Sequence, residues 1–374
     1  MPRKRDDDVW EKFLGRHPYK GDRARQSTAL SGKTVLLTGA GGSIGSALAT
    51  RLAELGPRLL LLLDSSEQNL YQIETELSGL AGAAPHVSIL GDIADSQLLD
   101  EIFSRCQPQI VYHAAAFKHV PLMEANPLAA IRNNALGTYA LANAVVKHQA
   151  QQLIMISTDK AVDPASVMGV SKRLAELILA AMGGEETRMI SVRLGNVLGS
   201  QGSVGLLFLQ QISRGGPVTV THPEVRRFFL TLSEGVELLL TGASLDSGIW
   251  IPEVGEPRKV LDLAQHLIGN AGLTPGRDIP ITFIGLRPGD KMMEQLVSTR
   301  ESIDIRAIGG PHRVTGAQLS LNAVEAVIVE LGEIVHQRDV PALLRVLCRI
   351  VSEYQPSAAL LAQSAESSMR ANRA

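Results

Sequence analysis

The sequence has very little cysteine: Cys106 and Cys348 are its two, far apart and in no CxxC spacing. That excludes a disulfide scaffold and a thiolate zinc site, and it fits a reducing cytoplasm. Long apolar runs are also missing. Stretches such as Leu59 to Leu63 stop far short of the ~20 residues that span a bilayer, so no integral membrane segment is expected. Charge of one sign is lacking as well, since 36 Lys and Arg stand against 38 Asp and Glu, a net charge of −2. No overall field draws the chain to nucleic acid or an anionic membrane, so any anion site must be local. The start, Met1-Pro2-Arg3-Lys4-Arg5, has no apolar stretch behind its basic residues and is not a secretory signal. A solvated, mobile tail is expected there, as at most chain ends. Neither a repeat period nor a low-complexity block occurs.

What is present is an ordinary globular balance over 374 residues, with 45% apolar and 20% charged residues, 34 glycines and 18 prolines. That length suggests two lobes. From Gly32 short β-rich runs alternate with helix-length amphipathic segments, the pattern of βαβ units and a parallel sheet. Strands are predicted at Thr34 to Leu37, Leu59 to Leu63, Val87 to Leu90, Ile110 to His113, Leu153 to Ser157 and Met189 to Leu194. The helices between them begin near Ser43, Glu67, Ser96, Pro121 and Ser166. Strands so uniformly apolar need helices on both sheet faces, so the first half is a doubly wound α/β unit. After Leu194 glycines crowd the chain and a second, smaller lobe begins. Its predicted pieces are helices at Ser233 to Ala243, Val260 to Ala271 and Ala323 to Val335, with strands at Val218 to Val220 and Ile281 to Phe283. We divide the chain into a tail at 1–30, a dinucleotide unit at 31–199, a partly interleaved substrate lobe at 200–312, and C-terminal helices at 313–374 that fray beyond Ser357.

Gly39, Gly42 and Gly45 fall between a predicted strand and the helix opening at Ser43 and Ile44. There the first glycine bends the chain, the second admits a pyrophosphate, and the third lets helix and strand pack closely. The diphosphate then meets the unpaired amides of the helix N-terminus. A glycine-rich turn alone can serve conformation only. Here Asp64 ends the next strand nineteen residues beyond Gly45, where a carboxylate accepts from an adenosine ribose and repels a 2′-phosphate, which favours NAD over NADP. Its other reading is a helix cap. Asp92 and Ile93 end the third strand, where an adenine pocket would lie. Ala114, Ala115 and Ala116 end the fourth and suit a flat ring.

The fifth strand ends Ser157-Thr158-Asp159-Lys160, at the sheet edge where ligands gather, and the next helix carries Met168 and Lys172 one turn apart. Adjacent strand residues face opposite sides, so Asp159 and Lys160 act together only if the chain has turned after Thr158. His113 with His119, and His222 alone, lack a third ligand at useful spacing, so no metal site is expected.

These residues resemble the short-chain dehydrogenase/reductase superfamily in its extended, nucleotide-sugar branch, which has a Rossmann-type fold. Within it they are most similar to the polysaccharide-biosynthesis 4,6-dehydratases acting on UDP-N-acetylglucosamine, especially the large membrane-anchored kind. The shared phrases run along almost the whole chain: FLGRHP from Phe13, TGAGGSIGS from Thr38, EQNLYQIETEL from Glu67, AAAFKHVPLMEANP from Ala114, STDKAVDPASVMGVSKR from Ser157, RLGNVLGSQGSV from Arg193, GGPVTVTHPE from Gly215 and GLRPGDK from Gly285.

Met168 stands where the superfamily usually has tyrosine, and a thioether takes no proton. The large 4,6-dehydratases carry methionine there, whereas the 5-inverting relatives keep tyrosine. The resemblance implies a hydro-lyase with an internal hydride cycle: NAD takes hydride from carbon 4 of the sugar, water leaves across carbons 5 and 6, and the hydride returns to carbon 6. It implies Asp159 as acid and Lys160 as base; it names no group for the carbon 4 hydroxyl proton, for which we expect a water held by Thr158 or Asp159. Lys118, Asn196, Ser203, Thr219, Arg227, Arg258, Arg287 and Glu294 match segments around the nucleotide sugar, the arginines being suited to phosphate. Two departures are Glu253-Val254, where Asp-Met is usual, and Ala47, where Glu is common. A cytoplasmic, free-standing homo-oligomer is expected, since the larger relatives carry membrane helices and a further nucleotide-binding region ahead of this part. The competing readings are a 5-inverting dehydratase, a UDP-sugar 4-epimerase, which needs no elimination pair, and a catalytically idle NAD-binding protein.

Overall fold

A computed structural model describes residues 3–305 and 310–371. Two helices come first, α1 (Arg3–Leu14) and α2 (Arg23–Leu30). The alternating half follows: β1 (Thr34–Thr38), α3 (Ser43–Leu55), β2 (Leu59–Asp64), α4 (Glu67–Ser78), β3 (His86–Leu90), α5 (Ser96–Cys106), β4 (Ile110–His113), α6 (Val120–Ala125) and α7 (Pro127–Ile131). A π-turn over Arg132–Leu136 joins α7 to α8 (Gly137–Lys147), and then come β5 (Gln152–Thr158), α9 (Val167–Met182) and β6 (Arg188–Leu194). The remainder is β7 (Asn196–Val197), α10 (Val204–Ser213), β8 (Val218–Val220), β9 (Arg226–Arg227), β10 (Phe229–Leu230), α11 (Leu232–Gly242), β11 (Gly248–Ile251), β12 (Arg258–Lys259), α12 (Val260–Asn270), β13 (Ile281–Phe283), β14 (Ser302–Asp304), β15 (His312–Thr315), α13 (Leu321–Gln337), α14 (Val340–Ile350) and α15 (Ala358–Ala371).

The main sheet has the order β14-β15-β11-β6-β5-β4-β1-β2-β3. From β3 to β11 it is parallel, and β15 and β14 close the far edge antiparallel. The order in which strands are added reverses between β1 and β4, opening the crevice where ligands bind in a doubly wound sheet. Strand residues supply both faces by turns. Val35, Leu37, Leu60 and Leu62 pack with α3, α4 and α11, while Leu36, Leu61 and Leu63 pack with α5, α8 and α9. Each such leucine contributes about 1.5–3 kcal/mol by leaving water, which is why the run at Leu59 to Leu63 is a strand buried on both sides.

The second lobe packs α1, α10, α12 and β8 around Phe208, Val218, Leu263 and Leu267. A last cluster lays α13, α14 and α15 over α7 and α9.

Both chain ends differ from expectation. Residues 9–30 are no mobile tail: Trp10, Phe13, Leu14 and Leu30 are all buried, and Asp22 caps α2 by accepting from the amides of Ala24 and Arg25. An apolar stripe at helical spacing, Val9, Trp10, Phe13 and Leu14, drives α1 into the second lobe against α12. Nor does the segment Ala358–Ala371 fray: it forms α15. Alanine favours helix, Leu360 is buried in the last cluster, and Ser357 Oγ donates to Glu124 Oε2 at 2.6 Å.

Phe13→Ala should therefore cost about 3–5 kcal/mol in denaturant unfolding, the range for emptying a buried aromatic site. A change within ~0.5 kcal/mol, as on a solvated segment, would show that α1 does not pack as described.

Candidate active site

The turn after β1 requires glycine at two of its positions, Gly39 and Gly45. Gly39 has φ +67°, and a Cβ there would meet Ala115 N at 2.6 Å. At Gly45 a Cβ would fall 1.9 Å from Gly39 O. Gly42 precedes α3 with no side chain capping the helix, so the amides at Ser43 and Ile44 keep their anion-binding capacity. Asp64, buried at the end of β2, accepts from Gly41 N and Ser66 N, both at 2.9 Å, and so braces the turn as well as facing it. Asp92 accepts from Ala94 N at 2.9 Å and lies 3.2 Å from Arg132, while Ile93 is buried beside Gly137. Ala114 and Ala115 line the glycine turn, and Ala116 follows them exposed. A cradle of small residues at an uncapped helix start fits a dinucleotide.

Across the crevice, β5 ends at Thr158 and the chain turns at once into a single 3₁₀ turn, Asp159–Ala161. That turn brings Asp159 and Lys160 to one side. Lys160 Nζ donates to Asp159 Oδ1 at 2.9 Å and to Asn196 Oδ1 at 3.0 Å. Thr158 Oγ1 donates to the same Asp159 oxygen at 3.0 Å and accepts from Lys160 N at 3.3 Å. Asp159 is fully buried, yet its Oδ2 has no hydrogen-bond partner. Glu294 Oε1 stands 3.9 Å from both Lys160 Nζ and Arg227 Nε, and Lys291 Nζ lies 3.3 Å from Glu294 Oε2. The segment bearing Glu294 is fastened to the turn by Lys291, which donates to Val162 O at 2.7 Å.

On α9 the side chain of Met168 is buried among apolar neighbours, including Val120 and Met123. Lys172, one turn on, is buried too. Burial pushes its pKa down to about 8 against the opposing pull of Glu176, so near neutral pH it is mostly charged, with a minor neutral fraction above that of an ordinary lysine.

The other expected residues are placed as follows. Lys118 Nζ donates to Gln201 O at 2.7 Å, and Gln201 N donates to Ser43 Oγ at 2.8 Å, so the 198–203 loop bridges the glycine turn and the β4–α6 connection. Ser203 Oγ is buried without a partner. Arg287 is half exposed and pairs with Asp290 at 2.9 Å. Arg227 is buried with its guanidinium committed to carbonyls, Arg226 O at 2.7 Å and Lys291 O at 2.9 Å. Arg258 donates to Leu14 O at 2.6 Å, and Thr219 pairs with Gln211 on α10 at 2.7 Å. Side-chain contacts thus join Thr158, Asp159, Lys160, Asn196, Arg227 and Glu294, and leave Lys118, Ser203, Thr219, Arg258 and Arg287 outside that group.

The profile of a polysaccharide biosynthesis protein family matches residues 35–314. The chain belongs to that family. It is 45% identical to the probable polysaccharide biosynthesis protein EpsC of Bacillus subtilis, over 78% of this chain and 49% of that protein, so it spans about half of that relative. It is also 31% identical to UDP-glucose 4-epimerase of Rickettsia canadensis, over 75% of this chain and 82% of that one. Among solved structures it is similar to Pen from Bacillus thuringiensis, with a TM-score of 0.66 and 28% identity over 72% of this chain and 84% of that one.

In this family member two further groups, missed from sequence, hold the site together. Asn134, fully buried in the π-turn, accepts from Phe117 N at 2.8 Å and donates to Phe117 O and Ser171 Oγ, each at 2.9 Å, locking the alanine loop to α9. A π-turn often marks such a place, but nothing in the local sequence announces one. His113, passed over as a metal ligand, lies buried between Thr38 Oγ1 at 2.7 Å and Thr138 Oγ1 at 3.0 Å. Burial, aided by the Lys172 charge, lowers its pKa to about 3, so it stays neutral.

The second group is an ion network beneath the Asp159–Ala161 turn. Glu176 accepts from Ser157 Oγ at 2.6 Å and from Arg193 Nη2 at 2.8 Å, Arg193 reaches Glu301 at 2.7 Å, and Arg173 joins Glu176 and Glu301 at 3.1 Å each. Burial alone would raise the Glu176 pKa, but Arg193 and Arg173 outweigh it and hold the carboxyl at about 2. A carboxyl depressed on folding stabilises the protein fully above its unfolded pKa, roughly 4.3, and loses that contribution as pH falls toward its folded value. Unfolding measured from pH 5 down to 2 should show this loss. Glu176→Gln should cost about 3–5 kcal/mol and flatten that slope, since it leaves buried arginine charge uncompensated. An unchanged slope would remove Glu176 from the account.

Proposed function

We propose that this chain is a UDP-N-acetylglucosamine 4,6-dehydratase that retains the carbon 5 configuration and keeps NAD through the cycle. The observation that carries this reading is the Asp159–Lys160 pair, joined at 2.9 Å on a turn facing the crevice, while the position of the usual tyrosine holds a buried methionine. An enzyme that only moves hydride at carbon 4 needs no such pair.

Gly39, Gly42, Ser43, Ile44 and Gly45 would hold the cofactor diphosphate, Asp64 its adenosine ribose, Asp92 and Ile93 the adenine edge, and Ala114 to Ala116 with Lys172 the nicotinamide half. When bound, NAD supplies a reversible hydride acceptor between carbons 4 and 6 and ends unchanged. The chain's own residues move the protons. Passing one proton from the Lys160 ammonium to the Asp159 carboxylate turns the ion pair into a neutral base and a neutral acid with no exchange with solvent. Lys160 then takes the proton at carbon 5, and Asp159 protonates the hydroxyl leaving carbon 6, which departs as water. Lys160 returns its proton to carbon 5 as hydride reaches carbon 6. The carbon 4 hydroxyl proton passes to a water at Thr158 or Asp159, where the unpartnered Asp159 Oδ2 restores the pair. Lys118, Asn196, Ser203 and Arg287 are the groups we assign to the sugar nucleotide, with Arg227 and Glu294 framing the reacting end.

The epimerase reading is favoured by one fact, the similarity to UDP-glucose 4-epimerase. Proton NMR of UDP-N-acetylglucosamine incubated with the purified protein separates the two. Dehydration gives a 4-keto-6-deoxy product with a carbon 6 methyl signal. A 4-inverted sugar that keeps its carbon 6 hydroxyl would replace our reading, and no turnover with NAD bound would favour an idle binding protein.

Asp159→Asn and Lys160→Ala should each lower turnover about 10²–10⁴-fold, the span for a positioned acid or base. Lys160→Ala should still build a transient reduced-nicotinamide absorbance. Met168→Ala should lose far less, and a loss as deep as that of Asp159→Asn would contradict a packing role for Met168. Arg287→Ala should raise KM much more than it lowers kcat, because it removes binding common to substrate and transition state. An unchanged affinity for UDP would make its pairing with Asp290 purely structural.

A further inference from the structure

The FLGRHP phrase has no part in the chemistry above, and its arginine occupies a built socket. Arg16 donates to both oxygens of Glu234, at 2.5 and 3.0 Å, to Phe229 O at 3.1 Å and to Val254 O at 3.0 Å. Glu234 is fully buried, closes a capping box with Thr231 at the start of α11, and also accepts from Tyr19 N at 3.1 Å. All three guanidinium nitrogens are therefore used, two of them on main-chain carbonyls of distant segments.

Those segments lead to the catalytic turn. Phe229 opens β10, which pairs with β7 in the register Phe229 to Asn196, and Asn196 N donates to Phe228 O at 2.7 Å. The side chain of Asn196 accepts from Lys160 Nζ at 3.0 Å. Val254 leads into β12, where Arg258 pairs with Arg227 of β9 and donates to Leu14 O, one residue before the phrase's glycine. Arg227 shares Glu294 with Lys160. Both polar neighbours of Lys160 outside its own turn, Asn196 and Glu294, thus stand on strands or loops tied to residues 14–16. Trp10 extends the same support: Cβ atoms at Gly199 and Gly205, which bracket the loop touching Ser43 and Lys118, would lie 3.4 and 3.1 Å from its ring.

We infer that residues 10–19 form a positioning strap, in which Arg16 sets β10 and β7 so that Asn196 holds the Lys160 ammonium against Asp159. Arg16 touches no reacting atom and acts through Asn196. The inference rests on the proposed dehydratase reading for its kinetic consequence, though not for its structural one.

The test compares the 374-residue chain with its Arg16→Ala and Arg16→Lys variants, the second keeping a charge for Glu234 while losing the bonds to Phe229 O and Val254 O. In folded variants, kcat on UDP-N-acetylglucosamine should fall about 10²-fold, the scale of a 1 Å misplacement, with KM little changed. Reduced-nicotinamide absorbance should build up because elimination slows and hydride removal does not. Amide hydrogen exchange should quicken at 196–203 and 228–230 and stay unchanged in β1 to β5. Wild-type kcat in Arg16→Lys, or exchange that quickens everywhere or nowhere, overturns the strap. If Arg16→Ala does not fold, Arg16→Lys decides alone. If the wild type does not dehydrate the sugar, the functional reading falls, and the exchange pattern by itself upholds or overturns the strap.

Discussion

The site turns on where one ammonium group is held. Lys160 Nζ sits 2.9 Å from a carboxylate oxygen and 3.0 Å from an amide oxygen, just past a strand that ends at Thr158, two residues earlier. Had β5 continued, Asp159 and Lys160 would face opposite sides of the sheet. The 3₁₀ turn removes that alternation, and everything around it fixes the result: Thr158 ties the turn to itself, Lys291 fastens the Glu294 loop to Val162, and the buried network under Ser157 anchors the strand end. An acid and a base linked by one hydrogen bond can exchange a proton without solvent. That suits the elimination we propose, in which one gives as the other takes.

A nearly neutral chain concentrates its charge locally. Glu176, Arg193, Arg173 and Glu301 are buried close together with charges that offset one another, so the network fixes geometry more than it creates a field. Lys160, Lys291 and Arg227 gather around Glu294 in the same manner. In both places each charge is countered by neighbours that arrive from other elements. Buried ion pairs of this kind are weak evidence of added stability, but removing one partner is costly.

How far the sequence speaks depends on how far apart the interacting residues lie. The glycine turn and Asp64 obey rules spanning a few residues and one strand edge, and each stands where those rules put it, whereas the strand rule alone would have separated Asp159 from Lys160 and left their pairing conditional on a turn after Thr158. Met168 was marked by standing where the superfamily usually has tyrosine, and its burial in an apolar cluster appears only in the fold. Asn134 and Arg16 were not legible, because their roles consist of contacts 37 and 218 residues away along the chain. The N-terminal segment misled through a base rate, since its apolar stripe is only four residues and its partners lie in the second lobe. Arg258 shows the same limit: it carries the right chemistry for phosphate, and the fold engages it with Leu14 O and the Phe13 ring.

The central claim is that hydride removed from carbon 4 is returned to carbon 6 of the same molecule while the Asp159–Lys160 pair expels water. Its most direct test uses UDP-N-acetylglucosamine carrying deuterium at carbon 4, mixed with unlabelled substrate in ordinary water, and mass and NMR analysis of the product. The account predicts a 4-keto-6-deoxy sugar with the deuterium at carbon 6 and no crossover into molecules from the unlabelled pool. Deuterium remaining at carbon 4 of a sugar that keeps its carbon 6 hydroxyl, or deuterium scrambled between molecules, would contradict it.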